Sequence, residues 1–359
     1  MNKKNIRLII LVLFTLTIFT SCKKDGPVDP SLGVWRSLGL EGKLVPNLVF
    51  IENYLYATAG RDGLYRINRS TTNAHWEYIG LADTSIERSL ESGVTDVVSM
   101  PGNLLASYVA GYQYKKHGVY RTSDNGSSWL PSDSGMITTL GYPTASQVLR
   151  LEVSQTDPSI IIAGTSVSLV YKSSDGGVSW QKITGTIGAS AFNYAIRLNP
   201  LKPYEIWIGG ETGRFAPFLH HSTDIGATWN SLRFPPNIGP YTYDNAVYDI
   251  AVDQRNDSVL YFGMVGAIVK TKDKAQTFQR VLGWEDGIYR NWRLAINPNN
   301  PDEIFATGFY LYRTTDGGQT WLKIKPPYFE IYALAVDWQK RLLFVSVSSP
   351  ENGIYKYQF

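Results

Sequence analysis

The sequence predicts an all-β fold, a seven-bladed β-propeller whose blades are four-stranded antiparallel sheets. Three observations carry that expectation. One unit recurs seven times at spacings of 43 to 55 residues, a period that suits propeller blades. β-Branched and aromatic residues fill the unit, and no long stretch has helical periodicity. The two ends of the repeat region complement each other, which a closed ring needs and an open β-solenoid does not.

Each unit begins with an apolar strand that ends in a turn of the Asn-Pro or Asp kind, as at Asp157-Pro158, Asn199-Pro200 and Asn297-Pro298. Asn and Asp bond their own turn backbone and Pro fixes φ, so such residues stop strands. A second strand follows, for example Ile160-Ile161-Ile162-Ala163-Gly164 or Ile206-Trp207-Ile208-Gly209-Gly210. The third carries the pair that marks the period: Tyr65-Arg66, Tyr120-Arg121, Tyr171-Lys172, His220-His221, Val269-Lys270, Tyr312-Arg313 and Tyr355-Lys356. A turn then leads through an aromatic residue into the fourth strand. The last unit stops at Phe359 with no fourth strand, while Gly33–Gly39 resembles the strands that follow each Trp. An N-terminal strand is therefore expected to complete the last blade.

The turn before the fourth strand is the most repetitive segment. Thr122-Ser123-Asp124-Asn125-Gly126-Ser127-Ser128-Trp129 matches the octets Ser173 to Trp180, Ser222 to Trp229 and Thr314 to Trp321. The hydroxyl and the carboxylate can accept turn amides that have no ladder partner. Gly177 can supply φ > 0, and the Trp180 ring can fold back over the blade. A carboxylate bonded to amides is a poor acid or base, so Asp124, Asp175, Asp224 and Asp316 read as structural. These octets resemble Asp-boxes, the bacterial neuraminidase repeat of sialidases, sortilin, xyloglucan-hydrolysing enzymes and photosystem-assembly propellers. The resemblance tiles essentially the whole mature chain and implies boxes at the blade periphery with functional sites on the ring's axis. Two units depart from it. Ala275 and Phe278 replace the Gly and Trp of the fifth, which predicts a distorted turn. In the first, Trp76 lies ten residues after Arg66 instead of eight, which predicts that the turn is lost.

Residues 1–21 have a basic start at Lys3, Lys4 and Arg7 and an apolar middle too short to span a bilayer. They read as a signal peptide. The following Cys22, the single cysteine of the chain, sits in Phe19-Thr20-Ser21-Cys22, which resembles the lipobox of bacterial lipoproteins. That resemblance implies lipidation at Cys22, a tether over 22–32 and a propeller over 33–359, anchored at an outer membrane. Without its signal the chain has 31 basic and 31 acidic residues, so it lacks the basic footprint of a nucleic-acid binder.

Function is expected on the face where loops enter the innermost strands. Those loops are rich in aromatics and charge, a mixture that suits sugar rings or a protein interface. The chosen ligand-binding candidates are Arg214, Phe215, Tyr289, Trp292, Tyr328 and Glu330. Glycoside hydrolysis needs two carboxyls about 5–9.5 Å apart; Asp96 and Asp249, on first strands three blades apart, are the catalytic candidates. The Arg-Ile-Pro of sialidases is unmatched, since Asn68 follows Arg66-Ile67. Xyloglucan hydrolases usually pair two propellers, and one is present here. His220-His221 points to opposite faces of a strand and makes a poor metal site, so no metal or cofactor is expected. The leading expectation is a monomeric outer-membrane lipoprotein whose face binds a glycan or protein. A glycoside hydrolase or polysaccharide lyase is the first alternative, an assembly scaffold the second.

Overall fold

A computed structural model describes residues 33–70, 74–110, 116–136, 147–167, 169–183, 191–212, 216–236, 238, 246–283, 293–308, 310–328, 330–347 and 352–359. They form seven four-stranded antiparallel sheets, each made of consecutive strands except the last. Blades one to six begin with innermost strands Asn47–Ile51, Gly93–Met100, Val148–Val153, Ala191–Asn199, Val247–Val252 and Leu294–Ile296. Blade seven comprises Ile331–Asp337, Leu342–Val347 and Gly353–Gln358, and takes its fourth strand from Arg36–Gly39. Arg36 pairs with Lys356 and Ser37 with Tyr355. The N-terminal strand thus closes the ring as the sequence predicts.

The core lies between blades. Second strands are buried on both faces, as at Ile161–Thr165 and Leu260–Met264, which is why they read as continuous apolar runs. Trp207 of blade four packs with Phe262 of blade five, and Leu55 of blade one with Phe344 of blade seven. A Cβ on Gly209 would lie 2.5 Å from Val247 of the next blade, so this glycine permits the close approach.

The box turns bond as their chemistry dictates. Ser173 Oγ accepts the Gly177 amide at 2.8 Å and donates to Asp175 Oδ1 at 2.7 Å, while Asp175 Oδ1 accepts the amides of Val178 and Ser179. Gly177 has φ +83°. Each Trp indole reaches the preceding blade: Trp129 donates to the Ile79 carbonyl at 2.7 Å, and Trp180 to Ser132 at 2.8 Å. The fifth unit keeps the turn that the sequence expected to be distorted, while the first unit's turn runs through 71–73, outside the described residues. In blade five, Thr271 Oγ1 still accepts the Ala275 amide and Asp273 Oδ1 the Thr277 amide. The turn is kept because Ala275 takes φ +62°, at a cost of about 1–2 kcal/mol. In blade one, Trp76 still donates to the preceding blade, at Leu38. Trp35, just before the closing strand, makes the equivalent bond to Lys325 of blade six.

Candidate functional site

The innermost strand of each blade has one sheet neighbour, so its other edge faces the axis with N–H and C=O groups that need partners. Channel side chains supply them. Asp96 Oδ1 accepts the Val97 amide and Asn47 Nδ2, each at 2.8 Å, and Oδ2 accepts the Leu151 amide of the next blade at 3.1 Å. Asp249 accepts the amides of Ile250 at 2.8 Å and of Leu294, one blade on, at 2.9 Å. Arginines serve the carbonyls. Arg150 Nε donates to Tyr194 at 3.1 Å, Arg197 Nε to Ile250 at 2.9 Å, and Arg293 Nη1 to Tyr248 at 2.8 Å. Arg197 also pairs with Glu152 at 3.2 Å and Asp249 at 3.7 Å. Burial pushes the carboxyls of Asp96 and Glu152 up, opposed chiefly by Arg150 and Arg197 respectively. These groups line a channel cavity of about 260 Å³.

At one end of the channel the register breaks. The first ladder pairing shifts in blades two, three, four, five and seven. A bulge leaves one residue unpaired and re-aims its side chain. The five extra residues are Thr95, Leu149, Tyr194, Tyr248 and Tyr332, and all five line a second, smaller cavity of about 60 Å³ at the channel mouth. Arg150, Tyr194, Tyr248 and Arg293 line both cavities and form the floor between them.

The mouth has aromatic and acidic character. Phe192, Tyr194 and Tyr248 form a continuous stack, with centroids 5.6 and 4.7 Å apart and interplanar angles of 10° and 28°. The Tyr194 hydroxyl donates to Glu211 Oε1 at 3.3 Å. Glu91 lines the same cavity beside that hydroxyl. Glu91 is solvent-exposed as a residue, but the crowding of its carboxyl pushes its pKa up, against Arg150, Tyr194 and Arg293. Burial, with the like charge of Arg150, brings the Arg293 guanidinium down to about 10.

The sequence-chosen residues fall in different places. Asp96 and Asp249 are both in the channel, engaged by the donors named above. Glu330 stands at φ +65° and accepts from the Tyr332 hydroxyl at 3.0 Å. Tyr328 packs against Tyr355, centroids 5.6 Å apart, beside the core of blade seven. Arg214, Phe215, Tyr289, Trp292 and Cys22 lie outside the described residues. Sequence reasoning missed Arg150 and Glu91. Arg150 could have been found by aligning inner strands, since it holds the register of Asp96 and Asp249, directly after the bulge.

No protein-family model matches the chain. A xyloglucanase from Paenibacillus sp is 23% identical over 340 residues, covering 81% of this chain and 32% of that protein. Among solved structures, the GH74 xyloglucanase of Xanthomonas campestris superposes with TM-score 0.64 at 18% identity, covering 90% of this chain and 53% of that one. YCF48 bound to D1 peptide superposes with TM-score 0.61 at 14% identity, covering 94% of this chain and all of that one. The chain thus spans about a third of the curated relative's length. These relatives overturn the expectation that the face is a non-catalytic glycan- or protein-binding surface, and favour its alternative, a glycoside hydrolase.

Proposed function

We propose that the protein is a glycoside hydrolase that cleaves xyloglucan or a related glycan at the channel mouth. The observation that carries the reading is the place of Glu91, an acid lining the mouth beside the stacked Tyr194 and Tyr248 rings, its pKa raised by the crowding of its carboxyl. The xyloglucanase relatives support it. Glu91 acts as the proton donor: it protonates the glycosidic oxygen as the C–O bond breaks. Glu211 accepts from the Tyr194 hydroxyl and is the second carboxyl, taking the proton of a water that bonds to the anomeric carbon as the leaving oxygen departs. The edges of the Tyr194 and Tyr248 rings line the mouth and give a sugar ring apolar contact. Reducing-end release from xyloglucan by the purified chain is the test. Glu91→Gln should lower the rate about 10²–10⁴-fold, and an unchanged rate removes Glu91 from the chemistry.

Cys22 in its lipobox-like setting would hold this enzyme at an outer membrane. Fractionation of Cys22→Ala checks that: the variant should leave the membrane pellet, and unchanged association defeats the anchor.

A further inference from the structure

Arg150 and Arg293 are held by backbone carbonyls, and among the described residues neither is in an ion pair. A guanidinium carries five N–H donors in a planar fork. Arg150 commits Nε and Nη1 to the carbonyls of Tyr194, Thr95 and Leu149, and Arg293 commits Nη1 to Tyr248. Both Nη2 groups and Arg293 Nε remain. Among the described residues neither guanidinium has a carboxylate within ion-pair distance, whereas Arg197 below them has two. Glu91 and Asp96 act on both through space, and Asp249 on Arg293, without pairing with either. Backbone carbonyls therefore fix two like charges side by side on the floor of the mouth. That arrangement is unfavourable alone and favourable around an anion.

We propose that this floor is a carboxylate-binding site, so that the glycan bound at the mouth carries a uronic acid over Arg150 and Arg293. The inference rests on reading the mouth as a sugar site and narrows its substrate class. The chamber, about 60 Å³, is several times the volume that a single buried water needs. It has room for a carboxylate, held between the two guanidinium groups and the Tyr194 and Tyr248 rings that share the floor. A planar carboxylate accepts two parallel N–H groups from a guanidinium, a charge-assisted geometry that a neutral hydroxymethyl cannot match.

The test is calorimetric titration of the Glu91→Gln protein, which binds without turnover, with cellobiouronic acid and with cellobiose. The acid should bind about tenfold to a hundredfold more tightly. Raising NaCl from about 0.05 to 0.5 M should shrink that gap. Arg293→Gln should abolish it and Arg293→Lys restore part. Equal affinity for the two disaccharides, or a gap that survives both salt and Arg293→Gln, overturns the proposal. If circular dichroism shows Arg293→Gln unfolded, the salt series on the parent protein decides alone. The reducing-end assay, run on xyloglucan and on a uronate-bearing glycan alike, is independent. No hydrolysis with the uronate preference intact defeats the hydrolase reading only, and hydrolysis without that preference defeats this inference only.

Discussion

The deep channel and its mouth hold the same residue types in opposite states. In the channel, Asp96 accepts three donors, Asp249 accepts two amides and faces Arg197, and Glu152 pairs with Arg197. At the mouth, Glu91 touches no cation within ion-pair distance among the described residues, and Arg150 and Arg293 bond only backbone carbonyls. The difference follows from what each level must satisfy. Unpaired strand edges dictate the channel residues, since buried amides and carbonyls must find partners. Above the bulges that demand ends, and side chains are released for a ligand. Charge in a propeller channel is therefore no sign of chemistry until its bonds to the strand edges are counted.

The largest stability effect should come from breaking the deep side. Asp96→Ala leaves the amides of Val97 and Leu151 and the Asn47 side chain without their acceptor. Buried donors without acceptors cost about 1–3 kcal/mol each, partly relieved by water, so a total near 2–4 kcal/mol is expected in chemical denaturation. A loss below about 1 kcal/mol would mean that the channel acids are dispensable ties.

Next in size is the periphery, a control region remote from the axis. In Gly177→Ala the new Cβ would sit 2.6 Å from Leu105 Cδ1 at φ +83°. The strained backbone and the contact together should cost about 2–3 kcal/mol with hydrolysis unchanged per folded molecule. A change in rate at equal folding would tie the turns to the site.

The smallest effect sharpens the same contrast through pH. In Asp124 the Ser128 and Thr122 hydroxyls, and in Asp224 the Thr228 hydroxyl and amide, hold the carboxyl at about 2. An unfolded Asp titrates near 3.9, so the folded pKa is depressed. The turns contribute stability above about pH 4 and lose it as pH falls toward 2. Melting temperature should drop across that window, and Asp124→Asn should flatten the drop. An unflattened curve would place the acid sensitivity elsewhere.

Most of the fold was legible in the sequence because the residues that build it repeat. The Ser/Thr-x-Asp octets, the Tyr-Arg pairs and the unpaired end strand mark blades through local bonding, which recurs whenever the turn does. Trp35 and Trp76 escaped because their bond to the preceding blade depends on where the ring lands, not on its spacing from the turn. The site was legible only as a face. Tyr194, Tyr248, Tyr332 and Arg293 belong to the aromatic and charged loops the sequence picks out, yet Asn47, Asp96, Arg150, Ala195, Asp249, Arg293 and Ala333 occupy one register with unlike chemistry. Bulges decide which neighbour of that register turns into the mouth, and nothing in a single sequence marks a bulge. Tyr328, two residues from Glu330, goes to the core of blade seven, where its ring meets Tyr355.

The central claim is that chemistry belongs to the mouth and structure to the deep channel. One paired measurement tests it most directly: initial rate of reducing-end release and melting temperature for Glu91→Gln and Asp249→Asn, side by side. Glu91→Gln should lose about 10²–10⁴-fold in rate with the melting temperature kept. Asp249→Asn should lower the melting temperature while each folded molecule keeps most of its rate. The reverse pattern, a silent Glu91 and an inactive but fully stable Asp249→Asn, would contradict the account.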